Sequence, residues 1–311
     1  MPYTVLAMLL LTPLDLLWTG RPRSIASALL RSGSFNALLD PGPSVSLPTL
    51  LKQLDSVGLS VSDLHSIFLT HIHLDHAGAT GSLLKLNPQL QVFVHHRGAP
   101  HMADPEILLN SAQRLYGDKM ASLFGDFLPV PEENLRILNG GETLPLGDQT
   151  LQVIYTPGHA SHHVTYFDPS TGTAFVGDTA GICIEGHPFI LPATPPPDIN
   201  VDLWDQSLDS IAQLQPRQLF LTHFGLSSDP SRHLATYRSS LHRWSDSVAS
   251  LLASGKDDSD SMQEFVRQVS SEATTALNPS EVDHYLYNGY LPLSWMGLAR
   301  YHRKKASVSP R

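Results

Sequence analysis

Three histidines and an aspartate fall within six residues in Thr70-His71-Ile72-His73-Leu74-Asp75-His76-Ala77-Gly78, directly after the apolar run Ile67-Phe68-Leu69. Neutral imidazole nitrogens beside a carboxylate are the donors that divalent transition metals take from proteins. The spacing also sets how the donors are presented. In an extended segment residues two apart share a face, so His71 and His73 project together. A turn into a helix at about Asp75 swings Asp75 and His76 to a neighbouring position. One short segment can then serve two metal ions. A lone histidine on an apolar face is usually a hydrogen-bonded core residue, but four donors in this order are not explained that way.

Two ions held close together need more donors, and a shared carboxylate to offset their repulsion. Three later segments each place a donor after a strand-like run and beside glycine: Val153-Ile154-Tyr155-Thr156-Pro157-Gly158-His159, Ala174-Phe175-Val176-Gly177-Asp178-Thr179 and Leu219-Phe220-Leu221-Thr222-His223-Phe224-Gly225. Glycine permits sharp turns at strand ends. Loops carried by a rigid sheet are a common place for such donors.

These four segments, in this order, resemble the metallo-β-lactamase-fold hydrolase superfamily, over the stretch from the first strands to about Gly225. The resemblance implies an α/β fold, a four-layer αββα sandwich with metals at one edge between the two sheets. It implies one ion on His71, His73 and His159, a second on Asp75, His76 and His223, and Asp178 bridging the two. Zn²⁺ is the expected ion, with Mn²⁺ or Fe²⁺ as alternatives. Many true metallo-β-lactamases have a cysteine ligand in the second site. The oxygen donor Asp178 instead resembles the aspartate-bridged branch of glyoxalase II, bacterial lactonases and tRNase Z. The single cysteine, Cys183, reads as a small buried apolar residue.

The activity so implied is hydrolysis of a carboxyl ester, thioester or lactone by a hydroxide bridging the two ions, oriented by Asp75. A phosphodiesterase or nuclease on the same centre is the alternative. A mono-iron persulfide dioxygenase and a non-catalytic, metal-stabilised binding module rank below these. Two departures from the narrower families stand out. The lactonase tyrosine, three positions after the bridging aspartate, is Gly181 here, and no basic glutathione-binding pattern of the glyoxalase II kind is present.

Other residues are weighed beside this set. His162 can touch substrate as a catalytic group or support a ligand, with a purely structural role as an equal alternative, whereas His163 reads more simply as structural. His95, His96 and His101 read as structural or exposed. Tyr116 is either a pocket hydrogen-bond donor or, more simply, part of helix packing. The stiff stretch from Pro192 to Asp198 reads first as a rigid connection and second as pocket lining. Arg300, Arg303, Lys304, Lys305 and Arg311 read as a solvated tail, with a phosphate or nucleic-acid role as the alternative.

Positioning these donors requires strands, and the chain supplies candidates. Strands are expected at Leu6 to Leu17, Ile25 to Leu30, Ala37 to Leu39, Ile67 to Leu69, Gln91 to Val94, Leu151 to Tyr155, His163 to Phe167, Ala174 to Val176 and Leu219 to Leu221. Asp40-Pro41-Gly42-Pro43 reads as a turn. Leu47, Leu50, Leu51, Leu54 and Val57 recur at helical spacing, as do Leu203, Leu208, Ile211 and Leu214. Residues 98–133 read as a helical insertion that either walls the site or covers the sheet. Residues 1–225 are expected to form the catalytic domain. Residues 226–311 read as a mostly helical extension with a polar break at Ser254 to Ser261, packed on that domain.

Composition sets the outer limits. The 311 residues can bury a large core, and 41% hydrophobic content is ordinary for a globular protein. The net charge of −9 argues against a general nucleic-acid surface. One cysteine excludes an internal disulfide. The run Val5 to Leu11 lacks a preceding Lys or Arg and is soon broken by Pro13 and Asp15, so it reads as a first strand rather than a signal peptide. Its length is too short to span a bilayer. A cytoplasmic enzyme acting on a small molecule, without a membrane partner, is therefore expected. The C-terminal helices either close the pocket or pair two copies as a homodimer.

Overall fold

Short apolar runs flanked by turns become strands, and those inside each sheet are buried on both faces. The computed structural model describes residues 8–184 and 187–308. Strands β1 (Leu10–Asp15), β2 (Ala26–Ser32), β3 (Phe35–Leu39), β4 (Ser66–Phe68), β5 (Gln91–His95) and β6 (Leu135–Leu138) form one six-stranded sheet in that order. Its first three strands are antiparallel and the rest parallel. Strands β7 (Thr143–Leu146), β8 (Gln149–Tyr155), β9 (Val164–Asp168), β10 (Thr173–Phe175), β11 (Gln218–Leu221) and β12 (Gly225–Ser227) form the second, in the order β12-β11-β10-β9-β8-β7.

Period-two alternation divides the side chains of each strand between two cores. Ala37, Leu39, Phe68, Phe175 and Phe220 meet between the sheets. Their neighbours Leu38, Ile67 and Leu69 face the outer layer of the first sheet. That layer includes α1 (Leu47–Ser56), the single turn α2 (Leu74–Ala77) and α3 (Thr80–Leu86). It continues with α4 (Ala99–Ala103), α5 (Glu106–Tyr116) and α6 (Met120–Phe124). Ala174, Val176, Leu219 and Leu221 face the opposite outer layer, with α7 (Val201–Gln213), α8 (Pro230–Ala253), α9 (Asp258–Ala276), α10 (Pro279–Gly289) and α11 (Leu291–Val308). Helix, sheet, sheet and helix layers thus follow one another, as an αββα sandwich. Among the described residues no helix is long and apolar enough to cross a membrane.

Several expectations need correction. The first strand begins at Leu10 and ends at Asp15, because Leu17 adopts a left-handed φ of 46°; residues 6–7 of the expected strand, with Val5 to Ala7 of the apolar run, lie outside the described residues. Three strands have no counterpart among those expected. β6 and β7 are edge strands with an exposed face, so their apolar runs are diluted by Arg136 and Pro145. Proline is tolerated there because an edge strand need not donate on both sides. β12 has only three residues. The expected break at Ser254 to Ser261 is shorter, since α9 resumes at Asp258 behind an Asp257 side-chain cap.

Four of the five basic C-terminal residues belong to a docked helix rather than a tail. Arg300, Arg303, Lys304 and Lys305 belong to α11. Arg303 pairs with Asp258 at 2.5 Å and Lys305 with Asp202 at 2.8 Å, tying α11 to α9 and α7. Arg311 lies outside the described residues.

Candidate metal centre

The four donor segments meet where the two sheets open at one edge. After β4 the chain stays extended through His71-Ile72-His73, then turns into α2, with His73 as its N-cap residue. His71 Nε2 and His73 Nδ1 come within 3.0 Å. His159 follows β8, and its Nε2 lies 2.9 Å from the same His73 Nδ1. Gly158 places it: at φ 143° a Cβ there would stand 2.5 Å from Trp204 Cα, so only glycine lets α7 approach this closely. Asp178 follows β10 and His223 follows β11.

The seven residues sort into two groups, each with its ligand atoms within 4.8 Å of one another: His71, His73, His159 and Asp178, then Asp75, His76 and His223. Asp178 faces both. Its Oδ2 is 3.3 Å from His159 Nε2, and its Oδ1 is 3.1 Å from His76 Nε2 and 3.6 Å from His223 Nε2. Asp75 Oδ2 closes the second group, 3.2 Å from His223 Nε2 and 3.9 Å from His76 Nε2. Donors about 2.0–2.1 Å from a common Zn²⁺ in a tetrahedron stand about 3.3 Å apart, so these separations fit coordination. His76 Nε2 and Asp178 Oδ1 are buried and, despite their proximity, are not aligned as a hydrogen bond; neither has another hydrogen-bond partner. Buried polar atoms are rarely left so, and a cation between them would satisfy both.

The surroundings fix the imidazoles with one nitrogen turned inward. His159 Nδ1 donates to Ala193 O at 2.8 Å and His223 Nδ1 to Ser24 O at 3.0 Å. His76 Nδ1 donates to Asp40 Oδ2 at 2.8 Å. Such outer partners select the tautomer whose other nitrogen can bind metal. Burial, with the neighbouring imidazoles, holds the pKa of His71 well below its usual value, and burial takes that of His73 down to about 4. Burial also lowers His159, against the pull of Asp178. These three are neutral, as a ligand must be. In the second group burial is outweighed by carboxylates. Asp178, Asp40 and Asp75 raise His76 well above its usual value, and Asp178 and Asp75 raise His223. Burial of Asp75 is overcome by His76 and His223, which bring its pKa down to about 2.

The sequence places Asp40 only in a turn; the structure gives it a larger part. It is fully buried and accepts from Thr70 N at 2.8 Å, Thr70 Oγ1 at 2.7 Å and Thr222 Oγ1 at 2.9 Å as well as from His76. A signal for it is present in the sequence: an acidic residue directly after a strand and close to glycine, as at Asp178.

A cavity of about 310 Å³ opens from the cluster. His73, Asp75, Asp178 and His223 reach it, and His162 lines its wall. His162 stays out of both ligand groups. Its Nδ1 faces Ile72 N at 3.5 Å, and its ring centre is 5.7 Å from that of His73. His163 is buried against Thr156 and Thr179. His95 is buried and stacks on Tyr155, while His101 lines the cavity, against expectation. Tyr116 reaches the cavity too, with its pKa pushed up by burial and by Asp75 and Asp178. So do Ala193 and Pro195 to Asp198, so this stretch is wall as well as connection. The insertion contributes Leu108, Ala112, Leu115 and Phe124, and α11 contributes Leu293 and Ser294. Cys183 is buried and stays out of both ligand groups; its backbone N–H donates to His223 O at 2.7 Å, and its thiol is pushed up to about 11 by burial.

The comparisons with known proteins agree with this geometry. The family model of the metallo-beta-lactamase superfamily matches residues 20–223. A metallo-beta-lactamase fold-containing protein of Sulfurisphaera tokodaii is 32% identical over 168 residues, 53% of this chain and 62% of that protein. A hydroxyacylglutathione hydrolase of Maricaulis maris is 28% identical over 198 residues, 59% of each chain. The chain thus spans less than two thirds of these curated relatives. Among solved structures, a metallo-beta-lactamase family protein of Thermus thermophilus superposes with a TM-score of 0.69 at 21% identity, over 97% of this chain and 95% of that one. An archaeal superfamily protein from Sulfolobus tokodaii gives 0.59 at 25% identity, over 76% and 86%. With a family model matched across most of its length and the donor cluster assembled at the sheet edge, the chain belongs to the metallo-beta-lactamase superfamily.

Proposed function

We propose that the protein is a hydrolase with two divalent metal ions, acting on a carboxyl ester, thioester or lactone of a small molecule, with thioesters favoured. The observation that carries this reading is a pair of ligand groups with Asp178 facing both, and buried donor atoms that make no hydrogen bond, at the floor of a mainly apolar cavity. His71, His73, His159 and Asp178 would hold one ion, and Asp178, Asp75, His76 and His223 the other, with Zn²⁺ as the expected metal. Bound there, the ions would lower the pKa of water toward neutrality and polarise a carbonyl oxygen.

The chain's own groups do the rest. Asp75, whose side chain keeps 23% of its surface exposed, faces the cavity and orients the attacking water by accepting its hydrogen bond. His162 has Nδ1 turned to the Ile72 N–H, so its proton sits on Nε2. That N–H supplies a hydrogen bond to the leaving atom. Leu108, Ala112, Leu115 and Phe124 exclude bulk water and seat an apolar acyl group. The named activity of the hydroxyacylglutathione hydrolases among the relatives supports thioester chemistry. We further propose that residues 226–311 and 1–225 make one domain, since one buried cluster joins Val176 and Leu221 to Tyr237 and Trp295.

The test is a ratio of kcat/KM on the zinc-loaded protein, for an acyl thioester against a bis-aryl phosphodiester, with Asp178→Ala as background. A ratio strongly favouring the thioester supports the reading. A ratio favouring the phosphodiester overturns it in favour of a phosphodiesterase or nuclease. His162→Ala should lower kcat on the thioester while metal content stays at the wild-type level.

A further inference from the structure

A second cavity adjoins the first. Ser111, Leu115, Pro196 and Pro197 line both, so the two are separated only by this ridge. The outer one is an open cleft of about 790 Å³ between α5 and α11, and its character is different. Arg114, Arg300, Arg303 and Lys304 line it against a single carboxylate, Asp258, which Arg303 already pairs with at 2.5 Å. In a chain of net charge −9 this is a local excess of positive charge. Arg114, Arg300 and Lys304 are exposed and have no ion-pair partner among the described residues. Arg300 Nε donates to Pro197 O at 3.2 Å, which holds its guanidinium at the rim of the inner cavity. The planar fork of arginine suits phosphate oxygens.

We propose that this cleft binds the phosphate groups of the substrate's thiol carrier, so that the substrate is an acyl thioester of a phosphorylated carrier such as coenzyme A. The inference rests on the thioester reading above. Helix α11 gives the reach. Leu293 and Ser294 line the metal cavity, while Arg300 and Lys304 follow seven and eleven residues after Leu293. At 1.5 Å per residue the Cα atoms of Arg300 and Lys304 stand about 10–17 Å further along the axis. Glutathione is too short to reach the far end of the cleft at Lys304. A tripeptide with cysteine in the middle keeps its carboxylates within about 4–8 Å of that residue. A carrier with a long arm between sulfur and phosphate bridges the ridge. In the reaction water forms the new C–O bond, the C–S bond breaks, and the products are the carboxylate, the free thiol carrier and one proton. A polynucleotide fits less well, because the inner cavity is walled by Leu108, Ala112, Leu115 and Phe124 and the whole chain repels polyanions.

The experiment compares the metal-loaded wild type with R300E/K304E, leaving Arg303 and its ion pair in place. Two substrates carry the same butanoyl thioester: butanoyl-coenzyme A, and butanoyl-N-acetylcysteamine, which has no phosphate. Binding of coenzyme A alone is measured by calorimetry. The proposal expects KM for the coenzyme A thioester and Kd for coenzyme A to rise tenfold or more in the variant, and to rise with salt in the wild type. It expects kcat to stay within about threefold and the N-acetylcysteamine thioester to be unaffected. Equal loss on both substrates, no change on either, or failure of the wild type to bind coenzyme A overturns it. So does a single-stranded RNA that displaces coenzyme A and is cleaved. If coenzyme A binding is lost in the variant but neither thioester is turned over by the wild type, the cleft stands and the hydrolase reading falls.

Discussion

Replacing Asp40 with alanine tests the support beneath the second ligand group without touching a ligand. The Asp40 carboxylate accepts four hydrogen bonds, one on Oδ1 from Thr70 N and three on Oδ2 from Thr70 Oγ1, Thr222 Oγ1 and His76 Nδ1. All are buried, and all are charge-assisted. The two hydroxyls can rotate toward other acceptors, but Thr70 N and the His76 ring cannot. Removing one member of such a buried charged network costs about 3–5 kcal/mol, which for a chain of 311 residues lowers Tm by about 5–8 °C. His76 also loses the group that fixes its tautomer, and outer-shell losses of this kind weaken metal binding about 10–100-fold. The assay is thermal unfolding of the metal-free protein, because bound metal adds stability by mass action and would mask the loss. It is joined by competition for Zn²⁺ against a chromogenic chelator. Asp40→Asn, with the same volume and one remaining acceptor, should fall between wild type and alanine. The reasoning is refuted if the alanine variant melts within about 2 °C of wild type and binds both ions with unchanged affinity.

Other expectations follow from the same geometry. His76 and His223 have raised pKa values, so the second ion must displace two protons; its affinity should fall up to about a hundredfold per pH unit as the pH drops below those values. The group of His71, His73 and His159 stays neutral there, so on acidification from pH 8 the second ion should leave first, as metal analysis at each pH will show. In the metal-free protein the raised His76 pKa contributes stability that is full below the unfolded value of about 6.5 and is lost as pH rises through the folded value. At Gly297 a Cβ would lie 2.0 Å from Thr194 O, next to the Ala193 carbonyl that orients His159. Gly297→Ala should therefore cost about 1–3 kcal/mol in denaturant unfolding and weaken the first ion. Cys183, with its thiol at about 11 and buried, should react with iodoacetamide at pH 8 at least about a hundredfold more slowly than a free thiol, and at the free rate once unfolded.

The donors are legible in the sequence because each sits in a local pattern. His71 to His76 lie in one segment, and His159, Asp178 and His223 each follow a strand beside or close to glycine, fully or largely buried in the last two cases. The sandwich is legible where strands run through the interior, since apolar residues on both faces give unbroken runs such as Ile67 to Leu69. Edge strands β6 and β7 face solvent on one side, and their patterns dissolve into polar residues. The walls of the cavity are not legible for a different reason. Tyr116, Pro195 to Asp198, Leu293 and Ser294 come from segments far apart in sequence, and only tertiary packing brings them to one space. The same holds for the cations of α5 and α11. Arg300 and Lys304 look like a tail until Arg303 and Lys305 are seen to dock the helix against α9 and α7.

The central claim is a two-ion centre in which Asp178 serves both ions. It is tested most directly by counting metal. The purified chain, stripped and then titrated with Zn²⁺ or Co²⁺, should bind two equivalents. His76→Ala should retain one of them, and Asp178→Ala should weaken both. A wild type that saturates at one equivalent, or an Asp178→Ala variant that binds two with wild-type affinity, would contradict the account.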